Sequence, residues 1–275
     1  MMRYIKLVNF EINRFSKIYL SLLLITLVSQ FAGVFIVTKS LLNDARDIMK
    51  EERLSEAAYI TNYGGIDFNH IANSLLFVGP IALSAVALIF YIFLIWYRDW
   101  FGKNTFIYRL LMLPTSRLSI YLSKATSIFL MVLGLIAFQI IILPMENALF
   151  NSNVPEVLLS EMSISTITIA NPILSLIIPS TFTQFLISYG IGLMIMSILF
   201  TAIMFERSFR IKGIIMGLLY CGIAAVLFLA PVLMEIGNFY FYPNELFGLM
   251  LAIGIILTGL SVWLGAWLLK NRVTV

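Results

Sequence analysis

Six apolar runs of about 20 residues each dominate this sequence, at 18–38, 71–97, 125–143, 181–205, 213–234 and 246–269. A run of that length matches the hydrocarbon thickness of a bilayer when it is helical, because the rise is about 1.5 Å per residue. In hydrocarbon every backbone N–H and C=O must be satisfied within the chain, so such runs fold as helices. The expectation is therefore an all-α integral membrane protein with six transmembrane helices in one domain, 1–275. Composition agrees: 61% of residues are hydrophobic and 12% charged, with a mean hydropathy of +0.98. Ordinary soluble domains are roughly 45–50% apolar and about 25% charged.

The segments between the runs differ in charge. Residues 1–17, 98–124, 206–212 and 270–275 hold 14 basic and 3 acidic residues, whereas the remaining connections hold 4 and 11. Basic loops stay on the cytoplasmic side of a bacterial plasma membrane, which puts both termini in the cytoplasm. It also accounts for the sequence pI near 9.1 without any nucleic-acid partner. Residues 1–17 space Tyr4, Ile5, Leu7, Val8, Ile12 and Phe15 as one side of a helix, with Arg3, Lys6, Arg14 and Lys17 among them. That pattern suggests an N-terminal amphipathic helix in the lipid interface.

Residues 39–70, the most charged part, read as an extracellular helical loop. Its Leu41, Ala45, Ile48, Met49 and Leu54 lie along one side, and NYGG turns the chain back. Residues 144–180 form a second extracellular loop. Its Pro144, Pro155, Pro172 and Pro179 interrupt the apolar runs, so short helices on the outer ends of the bundle are expected. Glu146 and Glu235 read as acids at the outer ends of spans. Pro80 falls inside the second span, and the pairs Gly213/Gly217 and Ser261/Gly265 permit close helix approach. Phe239, Tyr240, Phe241 and Tyr242 suit the headgroup belt.

The residues point away from catalysis. One cysteine, Cys221, and one histidine, His70, cannot form a zinc cluster. No G-x-x-x-x-G-K-[ST], G-x-S-x-G or H-E-x-x-H occurs, and the chain reads as non-enzymatic, with no cofactor bound directly. The runs carry polar Gln30, Gln139 and Gln184 and almost no charge, so uphill transport would need power from another chain.

The most informative connection is 98–124, with five basic residues and one acid. Thr105 can cap a short helix in which Phe106, Ile107, Leu110, Leu111 and Leu113 make an apolar side and Arg109 faces elsewhere; Pro114 stops it. Ser116 can cap the next helix, which runs into the third span. Such an amphipathic helix either lies on lipid or fits a groove on a partner.

Arg98-Asp99, Gly102, Thr105, Leu110-Leu111, Pro114, Ser116 and Arg117 resemble the first cytoplasmic loop of ABC transporter permeases of the type-2 exporter class. Asp99 stands where that family commonly has Glu, and Lys103-Asn104 separate the Gly from the Thr. The six spans, amphipathic start and cytoplasmic termini look like the same family. The resemblance implies that the loop is a coupling helix seated in a separate ATP-binding cassette subunit, which would hold the ATP and Mg. It also implies a minor contact at 206–212, including Glu206 and Arg207, and a pair of permeases. The cargo would be an exported peptide, drug or lipid-like compound, with antimicrobial-peptide efflux one such task. The competing reading is a sensory or immunity membrane protein that binds a peptide at its extracellular face and moves nothing.

Overall fold

The computed structural model describes residues 2–100, 107, 110, 112, 116–236, 240 and 242–272. Its elements are α1 (Met2–Glu51), α2 (Glu56–Tyr63), α3 (Asn69–Ala72), α4 (Leu75–Trp100), α5 (Arg117–Asn153), α6 (Ile164–Ala170), α7 (Pro172–Ile177), α8 (Phe182–Phe209), α9 (Ile211–Ile236) and α10 (Pro243–Asn271). Among the described residues there is no strand, only an isolated parallel bridge between Ile66 and Leu159. Six helices, α1, α4, α5, α8, α9 and α10, are long and apolar enough to cross a membrane. Their outward faces carry large apolar side chains such as Leu20, Leu24, Phe90, Leu218 and Trp263, each more than half exposed. Such a surface needs an apolar solvent around it, as in a multi-pass membrane protein.

Three boundaries differ from the sequence expectation. Residues 2–17 do not form a separate helix; they are the first turns of the 50-residue α1. Leu7, Val8, Glu11 and Phe15 are buried within the protein, so that side of the segment is covered by protein and not lipid. At its other end α1 runs past the first apolar run to Glu51, because Ala45 is fully buried and Leu41, Ile48 and Met49 pack on the same core. Likewise α5 passes through Pro144 to Asn153. Proline removes one intrahelical bond, and the buried face Leu143, Glu146 and Phe150 holds the helix beyond it.

The chain divides into two compact units. The first comprises Met1–Arg14, Leu88–Leu130 and Thr183–Val275. Trp96, Tyr121 and Phe200 form its aromatic centre, with edge-to-face rings 5.4 Å apart at Trp96–Phe200 and Tyr121–Phe200. The Tyr121 hydroxyl donates to the Ser197 carbonyl at 2.9 Å, and Thr201 donates to the Ser261 carbonyl at 2.7 Å. A smaller cluster of Met194, Ile198, Ala224 and Leu257 joins α8, α9 and α10. Glycine lets these helices approach: a Cβ on Gly217 would meet the Ala202 carbonyl at 3.0 Å, and one on Gly265 the Tyr121 ring at 2.6 Å. The connection 206–212 is helical except at Arg210, whose φ of 55° makes the turn from α8 to α9.

The second unit comprises Phe15–Ala87 and Met131–Phe182. Here α1 and α5 run parallel, with Tyr19 donating to the Met131 carbonyl at 3.1 Å and Gln30 to Gln139 at 3.2 Å further along both helices. Its core gathers Val34, Ala45, Phe68, Phe77, Leu143 and Phe150, with Phe68 edge-on to both other phenylalanines. The polar connections close over this core. Ser55 caps α2, Gly64 turns the chain at φ 85°, and Ile66 exchanges hydrogen bonds with Leu158 and Ser160 at 2.8 and 2.9 Å. Asn171 caps α7 and donates to the Ala72 carbonyl at 3.0 Å.

Replacing Gly265 by Leu is expected to cost about 1–3 kcal/mol through overpacking on Tyr121. Gly222→Leu, at a position with nothing within 4 Å, leaves stability unchanged. Thermal unfolding in detergent micelles distinguishes the two.

Candidate functional site

The most highly charged interior of the first unit lies beside the 98–124 connection. Helical spacing builds it. On α1, Leu7, Val8 and Glu11 point inward. On α4, Tyr91, Ile95 and Asp99 repeat every four residues, and Trp96 fills the space beside them. On α5, Ile120, Tyr121, Lys124 and Ser127 make the facing side. Lys124, Asp99 and Glu11 are buried, at 0%, 0% and 2% exposure.

Lys124 is the centre. Its ammonium group has three donors, and three acceptors meet them: Glu11 Oε1 at 2.7 Å, Asp99 Oδ2 at 2.5 Å and the Ile95 carbonyl at 2.9 Å. The outer oxygen of each carboxylate takes an arginine. Arg98 Nη2 lies 2.9 Å from Glu11 Oε2, and Arg14 Nη1 lies 2.7 Å from Asp99 Oδ1. Three cations and two anions thus alternate in one network, with the Trp96 ring 5.0 Å from Lys124 Nζ. Backbone contacts complete the joint: Ser127 donates to the Val8 carbonyl at 3.2 Å, and the Tyr4 and Thr126 hydroxyls lie 2.6 Å apart.

Further bonds fix both ends of the connection. The Tyr97 hydroxyl donates to the Glu206 carboxylate, and the Arg207 guanidinium stacks over Tyr97 at 4.6 Å and Trp100 at 5.6 Å. The last turn of α4 is therefore tied to the last turn of α8. At the start of α5 the Arg117 guanidinium donates to the carbonyls of Leu269 and Lys270, where a cation meets the negative end of α10. Ser116 accepts from the Ser119 amide at 3.2 Å and caps α5.

The structure brings Arg98, Asp99, Arg117, Glu206 and Arg207 to this region of the first unit, each engaged with the chain's own residues. Ile107 and Leu110 were expected to face a partner. Both are instead buried with Leu7 and Ile120, and Trp100 packs against them. Their apolar side is covered because the first turns of α1 offer a matching apolar face. Met112, by contrast, is 72% exposed. Gly102, Thr105, Phe106, Arg109, Leu111, Leu113 and Pro114 lie outside the described residues, as do Phe239 and Phe241. Tyr240 and Tyr242 are exposed.

Three members of the network, Glu11, Arg14 and Lys124, were not candidates from sequence. Each reads as an ordinary loop or interface charge at the edge of an apolar run. The available signal is that Glu11 shares a helical face with Leu7, Val8 and Phe15. Glu146 also differs from its reading as an outer-end acid: it is fully buried, while Glu235 is exposed. No protein-family model matches the chain, and no curated protein or solved structure matches it either.

Replacing Lys124 by Met strands two buried carboxylates and is expected to cost about 3–5 kcal/mol. Lys50→Met, at an exposed ion pair 3.8 Å long, changes stability by less than about 1 kcal/mol. Denaturant titration in micelles measures both.

Proposed function

We propose that this chain is the membrane-spanning subunit of an ATP-driven exporter of the ABC type-2 permease class, in a bacterial plasma membrane with both termini in the cytoplasm. The observation that carries the reading is how the 98–124 connection is held. The helix entering it and the helix leaving it are joined by a buried ion network, and that network also includes α1. A force applied to the connection is then felt by three apolar helices together, because Lys124 bonds both carboxylates and all three helices contribute members. Such a joint suits a subunit driven from outside the membrane.

The ATP-binding cassette subunit would hold the nucleotide and Mg, and this chain would convert that subunit's closure into a change of access. Since Ile107 and Leu110 are occupied by the chain's own core, the docking surface is the opposite side of the connection, which includes Met112. Two permeases in lipid, identical or related, would form the pathway for a peptide, drug or lipid-like cargo.

The test is purification from native membranes with an affinity tag. The reading expects a P-loop ATPase in stoichiometric amount, whose ATP turnover changes on reconstitution with this chain. Met112→Glu is expected to lower its recovery about ten-fold, the effect of losing about 1.4 kcal/mol at an interface, without altering the chain's own unfolding. A folded chain that retains a peptide but no ATPase would instead support the sensory or immunity reading.

A further inference from the structure

The second unit contains a buried carboxyl group with no part in the Lys124 network. Glu146 lies on α5 within a candidate span and is 0% exposed. Neither of its carboxylate oxygens has a hydrogen-bond partner in the chain. It sits between Leu143 and Phe150 on the face that enters the apolar core of this unit.

On α1 an orphaned hydroxyl lies at a similar level. Thr38 is 2% exposed, and its hydroxyl also has no partner. Because α1 and α5 run parallel and Gln30 meets Gln139, the register can be counted onward. Thr38 is eight residues beyond Gln30, a rise of about 12 Å, and Glu146 is seven beyond Gln139, a rise of about 10.5 Å. Val34 and Ala45, on either side of Thr38, belong to the same core as Leu143 and Phe150. The acid and the hydroxyl therefore face one interior region from two neighbouring helices.

Among the described residues no cation of this unit answers the carboxyl. On its part of α1 the charged groups are Lys17, Lys39, Asp44, Arg46, Asp47, Lys50 and Glu51, and all are exposed, as is Arg53 after it. Glu56 on α2 and Glu156 and Glu161 after α5 are exposed as well. Glu52 accepts from the Tyr63 hydroxyl at 2.5 Å, and Asp67 pairs with His70 at 2.9 Å. Tyr59, a phenol, is the buried titratable group of the α2 face. The parts of α4 and α5 in this unit, and α6 and α7, contribute no charge besides Glu146. An isolated carboxylate in such surroundings is far more costly than its neutral acid.

We propose that Glu146 is a proton-binding site within the membrane-spanning part of the second unit, in the interior region that the Thr38 hydroxyl also faces. The ligand is the proton itself, held while the carboxyl is enclosed and released when water reaches it. An ionisable group kept inside a span marks a functional position in membrane proteins generally, because its burial is costly. This chain thereby carries a proton-responsive element separate from the Lys124 network, whose carboxylates are fully paired with cations.

Infrared difference spectroscopy of the purified protein in lipid nanodiscs, wild type minus Glu146→Gln, tests this at neutral pH. The expected difference is the carbonyl stretch of a protonated carboxylic acid, displaced in D2O. The neutral, isosteric Glu146→Gln is also expected to keep the wild-type unfolding midpoint within about 2 °C, as volume-conserving changes do. A difference containing only carboxylate bands overturns the proposal. So does a carboxylate band that appears only with Na⁺ and not with choline, which would mark a metal-cation site. A Glu146→Gln chain that fails to fold shows that the charge is required, and overturns it too.

Discussion

A lysine ammonium group enclosed by three oxygens is the contact on which the first unit depends. Burying Lys124, Glu11 and Asp99 away from water is expensive, and only complete pairing offsets the cost. The pairing is complete: every Lys124 donor is used, and each carboxylate also receives an arginine. Its members come from α1, α4 and α5. These three helices cannot slide along one another there without exposing a charge to an apolar interior, so their register is set. The surrounding aromatic side chains, Trp96 and Tyr121 foremost, exclude water and strengthen the electrostatics they enclose.

Everything attached to that joint inherits its order. The last turn of α4 continues to Tyr97 and Trp100, which engage Glu206 and Arg207 at the end of α8. The first turn of α5 reaches the last carbonyls of α10 through Arg117. Ile107 and Leu110 fold back onto Leu7 and Ile120. A connection that composition alone marks as polar and exposed is in fact held at several points. The second unit is built on a different principle, with an apolar core in which the Gln30–Gln139 pair, Thr38, Asn171 and Glu146 are among the few buried polar groups.

The long elements were legible in the sequence because hydrophobic run length is a strong and local signal. All six long helices are there, and Gly213, Gly217 and Gly265 of the two small-residue pairs do lie at close contacts. The ends were less legible. Run length reports where apolarity stops, whereas a helix stops where its backbone bonds lose support. Thus α1 continues through charged residues 44–51 and α5 through Pro144, each carried by a buried face. The ion network was legible only in fragments. Arg98 and Asp99 stood out within a basic connection, but Lys124 and Glu11 looked like members of a charge bias. Pairing across 25 to 113 residues leaves no trace in local spacing. The same bias concealed Glu146, which differs from a surface acid only in what packs around it.

The central claim is that Lys124 and Asp99 act as one unit across the two ends of the 98–124 connection. A double-mutant cycle with Lys124→Met and Asp99→Asn, read by equilibrium unfolding in micelles, tests it most directly. The account predicts a coupling energy of at least about 1.5 kcal/mol, in the range measured for close buried charge pairs. Additive effects, with coupling near zero, would contradict it.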